Sequence, residues 1–334
     1  MESPFTGGKV MLLKEKKQIE FRKDLFEITQ LFYRCVDTGE EFSTDEVDQI
    51  NLNQLYNQYR VKYGIPFPEE IKEIREQYGL SASKMSEILG LGTNSYRQYE
   101  SGDIPTVANG RLILASKDPG EFIKFLDASE SLLTPKEYLK FKNTALEIIE
   151  EKKANFWNLL FFDNIFTYSK PSEYNGYKKP DQYKVANMIS YFSQSLDDLY
   201  KTKLNKLLFY SDFLCYKMSG YSISGIAYKA IQMGPVPAEY DKLYIKLTDE
   251  NMVDLKFVPF RNGNYGEALK GKVFDQSIFE EKELQAMNAV LNKFGKKSTN
   301  EMVEISHLES GWIENEESRD MISYSKYAFE LSQI

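Results

Sequence analysis

LNKLLFYSDFLCYKMSGYSISGIAYKAIQMGPVPAEYDKLYIKL, residues 204–247, is the stretch whose reading decides the fold. Leu204, Leu207, Leu208, Phe209, Leu214, Cys215 and Met218 recur at three- and four-residue spacing, which predicts a helix with one buried face. Gly220 stands where a left-handed residue would end that helix. Ile226–Met233 is short, apolar and rich in β-branched and aromatic residues, as a single strand is. Gly234-Pro235 predicts a turn, because glycine takes positive φ and proline cannot continue a ladder. Ala238–Leu247 predicts a second helix.

Two segments here, KLLFYSDFLCYKMSG and AYKAIQMGPVPAEYDKLY, are followed downstream by EISHLESGW at Glu304–Trp312. Together they resemble the Panacea domain of SocA-like antitoxins, over a span from Pro180 to the C-terminus. The resemblance implies an α+β domain that binds and blocks a protein toxin, with Gly234, Pro235 and Trp312 as structural motif positions. Buried aromatic anchors dominate many protein interfaces, so Tyr216, Tyr221, Tyr240 and Tyr244 are candidate toxin contacts, with His307 beside them. Each tyrosine fits a core position equally well, and His307 fits a hydrogen-bonded packing residue near Trp312.

A length of 334 residues predicts two or three domains, and 42% hydrophobic with 14% aromatic residues is enough for packed cores. Two cysteines cannot build a disulfide framework, which suits a reducing cytoplasm. MESPFTGGKV lacks the basic and apolar regions of a secretory signal. The most apolar run, Phe156–Phe166, is broken by Asp163 and Asn164 and is too short to span a bilayer. The expectation is a cytoplasmic protein with no membrane partner. A net charge of −8 argues against broad nonspecific nucleic-acid binding, yet permits one local DNA-reading surface and would suit a basic toxin.

The first 41 residues alternate short β-like runs, Val10–Leu13, Gln18–Arg22 and Leu25–Tyr33, with polar turns. Their ends, SPFTGG at residues 3–8 and YRCVDTGEE at 33–41, resemble the two knuckles of the zinc ribbon that opens MqsA-type antitoxins. The four ligand positions hold Ser3, Thr6, Cys35 and Thr38, and neutral hydroxyls are poor Zn²⁺ ligands. The resemblance therefore implies a ribbon without metal, in which Phe5, Leu12, Ile19, Phe21, Phe26, Ile28 and Phe32 would replace the metal by packing. A small β-meander unrelated to zinc sites is the alternative. Asp45–Tyr63 predicts a helix capped by Ser43 or Thr44, and Ile65-Pro66-Phe67-Pro68 marks a boundary.

Between residues 66 and 128 the pattern predicts five helices: Glu69–Tyr78, one opening at Ser81, a short one capped by Thr93 and ending near Gly102, Thr106–Ser116 and Glu121–Ala128. A helix, a glycine-bearing turn and a second short helix make a helix-turn-helix. GLSASKMSEILGL followed by TNSYRQYESG resembles the same region of MqsA-type antitoxins, which implies operator DNA as a partner. Asn94 and Gln98 lie four apart on one face, and their amides suit adenine N6 and N7 in the major groove. Arg97 suits guanine or phosphate, and Thr93 and Ser95 complete the candidate DNA-binding set, while Tyr96 and Tyr99 point inward. The family carries arginine where this chain has Gln98, so its base preference does not transfer. Acidic residues outnumber Lys and Arg across 66–128, which favours the alternative of a dimerisation or protein-binding module.

Thr134 and Pro135 open a charged helix that runs to Asn155, with Tyr138, Phe141, Ala145, Leu146 and Ile149 at helical spacing, either a linker or a pairing surface. Further on, Gln182–Ser193, Phe279–Phe294 and Thr299–Leu308 predict helices, with a short one near Arg319. Phe257–Phe260, the turn Arg261–Asn264 and Tyr265–Leu269 predict a hairpin. His307 is the only histidine, and no metal-ligand spacing or phosphate-binding glycine loop is present. A Cys/His dyad from Cys215 or Cys35 with His307 competes with buried structural thiols.

The expected architecture is multi-domain, mainly α with α+β parts: a ribbon-like β domain with a helix (1–65), a five-helix helix-turn-helix domain (66–128), a helical linker (129–179) and an α+β Panacea-like domain (180–334). The expected function is non-catalytic and needs no cofactor: a type II antitoxin that binds a co-encoded protein toxin, represses its operon and forms a homodimer. A proteolytic adaptor and a stand-alone transcription regulator are the competing readings.

Overall fold

The computed structural model describes residues 1–154, 166–197, 199–259 and 265–334. The apolar run up to residue 165 and the hairpin turn Arg261–Asn264 lie outside the described residues. The chain divides into two compact units, Met1–Leu55 with Asp163–Ile334, and Tyr56–Phe162.

The first unit opens with a long hairpin, β1 (Val10–Phe21) antiparallel to β2 (Asp24–Cys35), in register from Val10↔Cys35 to Phe21↔Asp24. Arg22 and Lys23 turn the chain with φ of 49° and 75°, doing without the glycine usual at such a turn. Both strands are continuous where the sequence suggests three runs. Exposed Lys14–Gln18 carries no apolar alternation to mark it as strand. The short β3 (Glu41–Phe42) extends the sheet beside Tyr33 and Arg34.

Helix α1 (Asp45–Tyr63) follows, with Thr44 accepting from the Val47 amide and acidic residues in the first turn. Asn51 and Gln54 of α1 each clasp one residue of β2 by both backbone groups. Asn51 Oδ1 accepts from Leu31 N (2.8 Å) while its Nδ2 donates to Leu31 O (2.9 Å), and Gln54 does the same with Thr29 (3.0 and 2.9 Å). Side-chain amides thus satisfy an edge that would otherwise need another strand. Phe26, Ile28 and Leu31 are buried, whereas Phe5 and Leu12, expected to help replace a metal, are exposed.

The second unit holds α2 (Pro68–Glu76), α3 (Ala82–Ile88), α4 (Ser95–Glu100), α5 (Val107–Ala115), α6 (Pro119–Ala128) and α7 (Pro135–Ala154). Ser81, Thr106 and Asp118 each accept a backbone N–H as N-caps. Thr93 does not cap α4: the N-cap position is Asn94, whose side chain makes no cap bond. One core joins these helices, with Ile71, Tyr78, Met85, Tyr96, Ile113 and Phe122 at its centre. Tyr78 stacks on Phe122 at 3.8 Å between ring centres and donates to Ser116 O. Helix α7, expected as a linker, contributes Phe141 and Ala145 to the same core.

The rest of the first unit wraps around one helix. After α8 (Gln182–Ser195), α9 (Lys201–Ser219) is buried along most of its length, and Gly220 closes it with φ +81°. The strands β4 (Tyr228–Ile231) and β5 (Gly234–Pro237) form a tight hairpin. Gly234-Pro235 is therefore the start of the returning strand, and the turn lies at Gln232-Met233. Proline is tolerated because Ala230 and Pro235 face each other without exchanging bonds: Ala230 N donates to Asp320 O and Pro235 O accepts from Lys206 Nζ.

Then come α10 (Tyr240–Asp249), the antiparallel pair β6 (Val253–Pro259) and β7 (Tyr265–Gly271), α11 (Glu281–Phe294), α12 (Thr299–Ser306), α13 (Ser310–Ile313) and α14 (Tyr324–Tyr327). No helix stands at Arg319, which takes φ +56° in a turn. Three ties join the N-terminal hairpin and α1 to this part of the same unit. Lys14 Nζ reaches Phe329 O and Glu330 Oε2, both at 2.7 Å, Asn53 Nδ2 donates to Ser219 O, and Lys282 pairs with Glu46. Multi-domain, mainly α with α+β parts, describes the chain. No helix among the described residues is long and apolar enough to cross a membrane.

Candidate functional site

Three clusters of the expected site residues are built in different ways. In the second unit, Ser86 Oγ accepts from Tyr96 N, and Tyr96 OH donates to Ile71 O, so the inward tyrosine fixes α4 against α3 and α2. That anchoring turns Thr93, Asn94, Arg97 and Gln98 outward and leaves Ser95 half-buried. Among the described residues no side chain of Thr93, Asn94, Arg97 or Gln98 is committed to another protein group. They form one polar face over the start and the first turn of a short, anchored helix, the arrangement that base-edge reading needs. The acidity of this region is largely absorbed internally: Glu100 is held by Arg75 at 2.6 Å, Glu87 by Lys84, Glu70 by Lys117 and Asp127 by Lys142.

In the first unit, the β4–β5 hairpin, Lys206, Ser306, His307 and Trp312 come together. Trp312 Nε1 donates to Ile231 O at 2.8 Å, and the His307 ring stacks on the indole at 3.8 Å and 12°. Lys206 is fully buried on α9 and gives its ammonium to Pro235 O at 3.0 Å. Burial lowers Lys206 to about 7. His307 is also lowered, first by burial and then by the nearby lysine, so it is held neutral. A Cβ on Gly234 would stand 2.3 Å from Ser306 Oγ and 2.6 Å from Lys206 Cε, so this strand can approach α9 only with glycine there.

A second buried polar centre, Asp212, was not singled out in the sequence. It accepts from Ile223 N and Ser224 N (2.8 Å each), Ser224 Oγ (2.6 Å) and Tyr228 OH (2.7 Å), which pins the whole connection from α9 to β4. Its only sequence signal was a carboxylate amid the apolar face of a helix.

The candidate toxin contacts separate. Tyr216 is fully buried among Tyr177, Tyr324 and Phe329, and Tyr244 is buried with its hydroxyl on Asn205. Both are core residues, which withdraws them as partner contacts. Tyr221 and Tyr240 are half-buried, the latter under Lys201. Sequence reasoning missed the exposed apolar side chains around the hairpin and His307–Trp312, namely Met233, Leu308 and Ile313. Cys215 is buried and burial raises its thiol to about 12, as for a structural cysteine.

The third cluster is at the N-terminal sheet. Ser3, Thr6, Cys35 and Thr38 converge, with Thr6 Oγ1 3.5 Å from Cys35 Sγ. Hydrogen bonds from Ser3, Thr38 and Thr6, in that order of strength, lower the Cys35 thiol to about 6. Each loop folds as a tight turn: Gly7 N donates to Ser3 O and Gly39 N to Cys35 O, with Gly7 and Gly39 at positive φ. One sulfur and three hydroxyls do not fit Zn²⁺, and no group of His, Cys, Asp and Glu among the described residues could hold a metal ion.

Comparison with known families gives two matches, each shorter than half the chain. Residues 204–313 match the antitoxin SocA-like, Panacea domain, and residues 71–115 match a helix-turn-helix family. No curated protein and no solved structure matches the chain. An antitoxin-type domain and a helix-turn-helix thus stand in one polypeptide, each in a different compact unit.

Proposed function

We propose that the chain is the antitoxin of a type II toxin–antitoxin pair, acting by occupation of a co-encoded protein toxin rather than by turnover. The observation that carries this reading is the pairing of the SocA-like match with an outward, uncommitted Asn94/Arg97/Gln98 face in the other unit. The helix-turn-helix would repress the shared promoter, and the first unit would hold the toxin. In that unit the β4–β5 hairpin, braced by Trp312 and flanked by exposed Met233, Leu308 and Ile313, is the surface we assign to the toxin. Exposed apolar side chains of this size suit such an interface. Binding and repression both need affinity and neither needs a nucleophile, cofactor or metal. The hydroxyl-lined Cys35 site supports descent from a metal-holding ribbon.

The test is co-expression with the protein encoded next to this chain. Growth should be rescued and the two should co-purify as an intact complex. Rescue with a shortened toxin half-life would instead favour delivery to a protease, and no complex with no rescue would overturn the reading. Asn94→Ala and Gln98→Ala should each weaken operator binding by about 1–3 kcal/mol, and unchanged operator affinity in both would reject the DNA-reading assignment.

A further inference from the structure

We infer that the outer face of α7 is the seam through which two copies of this chain pair, antiparallel about Asn143. The inner face of α7 is spent: Phe141 and Ala145 are buried in the core of the second unit, with Tyr138 and Ile148 packed against it. The outer face keeps two leucines in water, Leu139 at 57% and Leu146 at 47% exposure, seven residues apart and so on one stripe of the helix. Asn143 lies between them, exposed and uncommitted.

The charges flanking this stripe choose the occupant and its direction. Lys136 and Lys140 lie on the N-terminal side of Asn143, and Glu147 and Glu150 on the C-terminal side, all exposed. Lys136, Lys140 and Glu147 make no ion pair among the described residues, and Glu150 has only the exposed i,i+3 contact with Lys153. If two α7 helices run antiparallel and cross at Asn143, Lys136 meets the partner's Glu150, Lys140 meets the partner's Glu147, and Leu139 meets the partner's Leu146. Each match occurs twice by symmetry, as a self-complementary twofold interface requires. In a parallel pair Lys136 would face Lys136 and Glu150 would face Glu150, while Lys140 and Glu147 would lie against the partner's leucine flank with no opposite charge to meet. A central asparagine on such a seam fixes register, because only the matched alignment pairs amide with amide. Twenty residues of helix give a contact about 30 Å long.

This inference goes beyond the functional reading above and does not depend on it, since its readout needs neither DNA nor toxin. The full chain is measured by sedimentation velocity over a concentration series. A concentration-dependent dimer is expected. Lys136→Glu/Lys140→Glu and Glu147→Lys/Glu150→Lys should each weaken self-association about ten-fold or more, because four attractions become four repulsions. The chain with all four changes should recover the wild-type affinity. Asn143→Cys should form a disulfide-linked dimer on mild oxidation. All these positions are exposed, so the variants should fold, which circular dichroism checks. A chain that stays monomeric overturns the proposal. So does a dimer that ignores both charge reversals, or one that the fourfold swap fails to restore.

Discussion

Lys206 is fully buried, and the pH dependence of stability turns on it. A fully buried ammonium with one carbonyl partner is costly, and burial lowers its pKa from 10.5 to about 7. The unfolded chain therefore binds more protons than the folded chain between about pH 7 and 10.5. Stability must rise with pH across that window, reaching its full value above the unfolded pKa and falling as pH drops toward the folded one. Integrating between pH 7 and 9.5 gives roughly 3 kcal/mol for this one group. Lys206→Met keeps the length and apolar stem but cannot titrate. It leaves Pro235 O without its donor, at about 1–3 kcal/mol independent of pH. Urea unfolding, followed by Trp312 fluorescence in a Trp157→Phe background, should then show two things. At pH 7 the variant should match or exceed the parent in stability, and by pH 9.5 the parent should have gained ~3 kcal/mol relative to it. His307 is held neutral, so working above pH 7 keeps it out of the difference. A parent–variant difference flat across the range would mean that Lys206 is charged or solvated in the folded protein, and would rule out a lowered pKa there.

Other consequences follow from single groups. Asp212→Ala strands four donors and should cost roughly 3–5 kcal/mol in urea titration. Asp212→Asn, which can still accept both backbone amides, should cost clearly less, and the reverse ranking would sink the assignment of Asp212 as the loop's anchor. Replacing Ser3, Thr6 and Thr38 by Cys together should create a four-thiolate site around Cys35. Co²⁺ should then give the absorption of tetrahedral thiolate ligation in that variant and not in the parent. No spectrum in a folded variant would mean that the two turns do not hold knuckle geometry. Gly225→Ala would place a Cβ 2.1 Å from Lys179 O at φ +69°, so a loss of at least about 2 kcal/mol is expected in the same titration.

Periodic features were legible in the sequence and features built by long-range bonds were not. The α9 stripe, its Gly220 stop, the cap at Ser81 and the bounds of α1 follow from spacing and local chemistry, which act over a few residues. Gly234-Pro235 was misread because glycine before proline signals a turn locally. Here the glycine is needed for close approach to Lys206 and Ser306, and the proline sits where the ladder asks nothing of its nitrogen. Tyr216 and Tyr244 carried no local sign of burial beyond their spacing, which a partner-facing tyrosine shares. Cys35 was legible as one cysteine spaced with Ser3, Thr6 and Thr38, but not that three hydroxyls would turn toward its sulfur.

The attachment of the N-terminal hairpin shows why some of the architecture had to stay hidden. The ties of the hairpin and α1 to the rest of the first unit run from a lysine to a carbonyl and a glutamate 315 and 316 residues away, and from an asparagine to a carbonyl 166 residues away. Backbone carbonyls exist at every position, and exposed charges such as Glu330 and Lys282 are common in the C-terminal part, so nothing there singles out the contact. The hairpin leaves Leu12 in water and rests on α1 and, through Lys14, on Phe329 and Glu330. A small sheet whose own core is too thin to hold it must find stability from a neighbour. That neighbour is the part of the chain assigned to toxin binding. Disturbance at Lys14 should therefore loosen the hairpin while leaving the helix-turn-helix unit, with its separate core, folded.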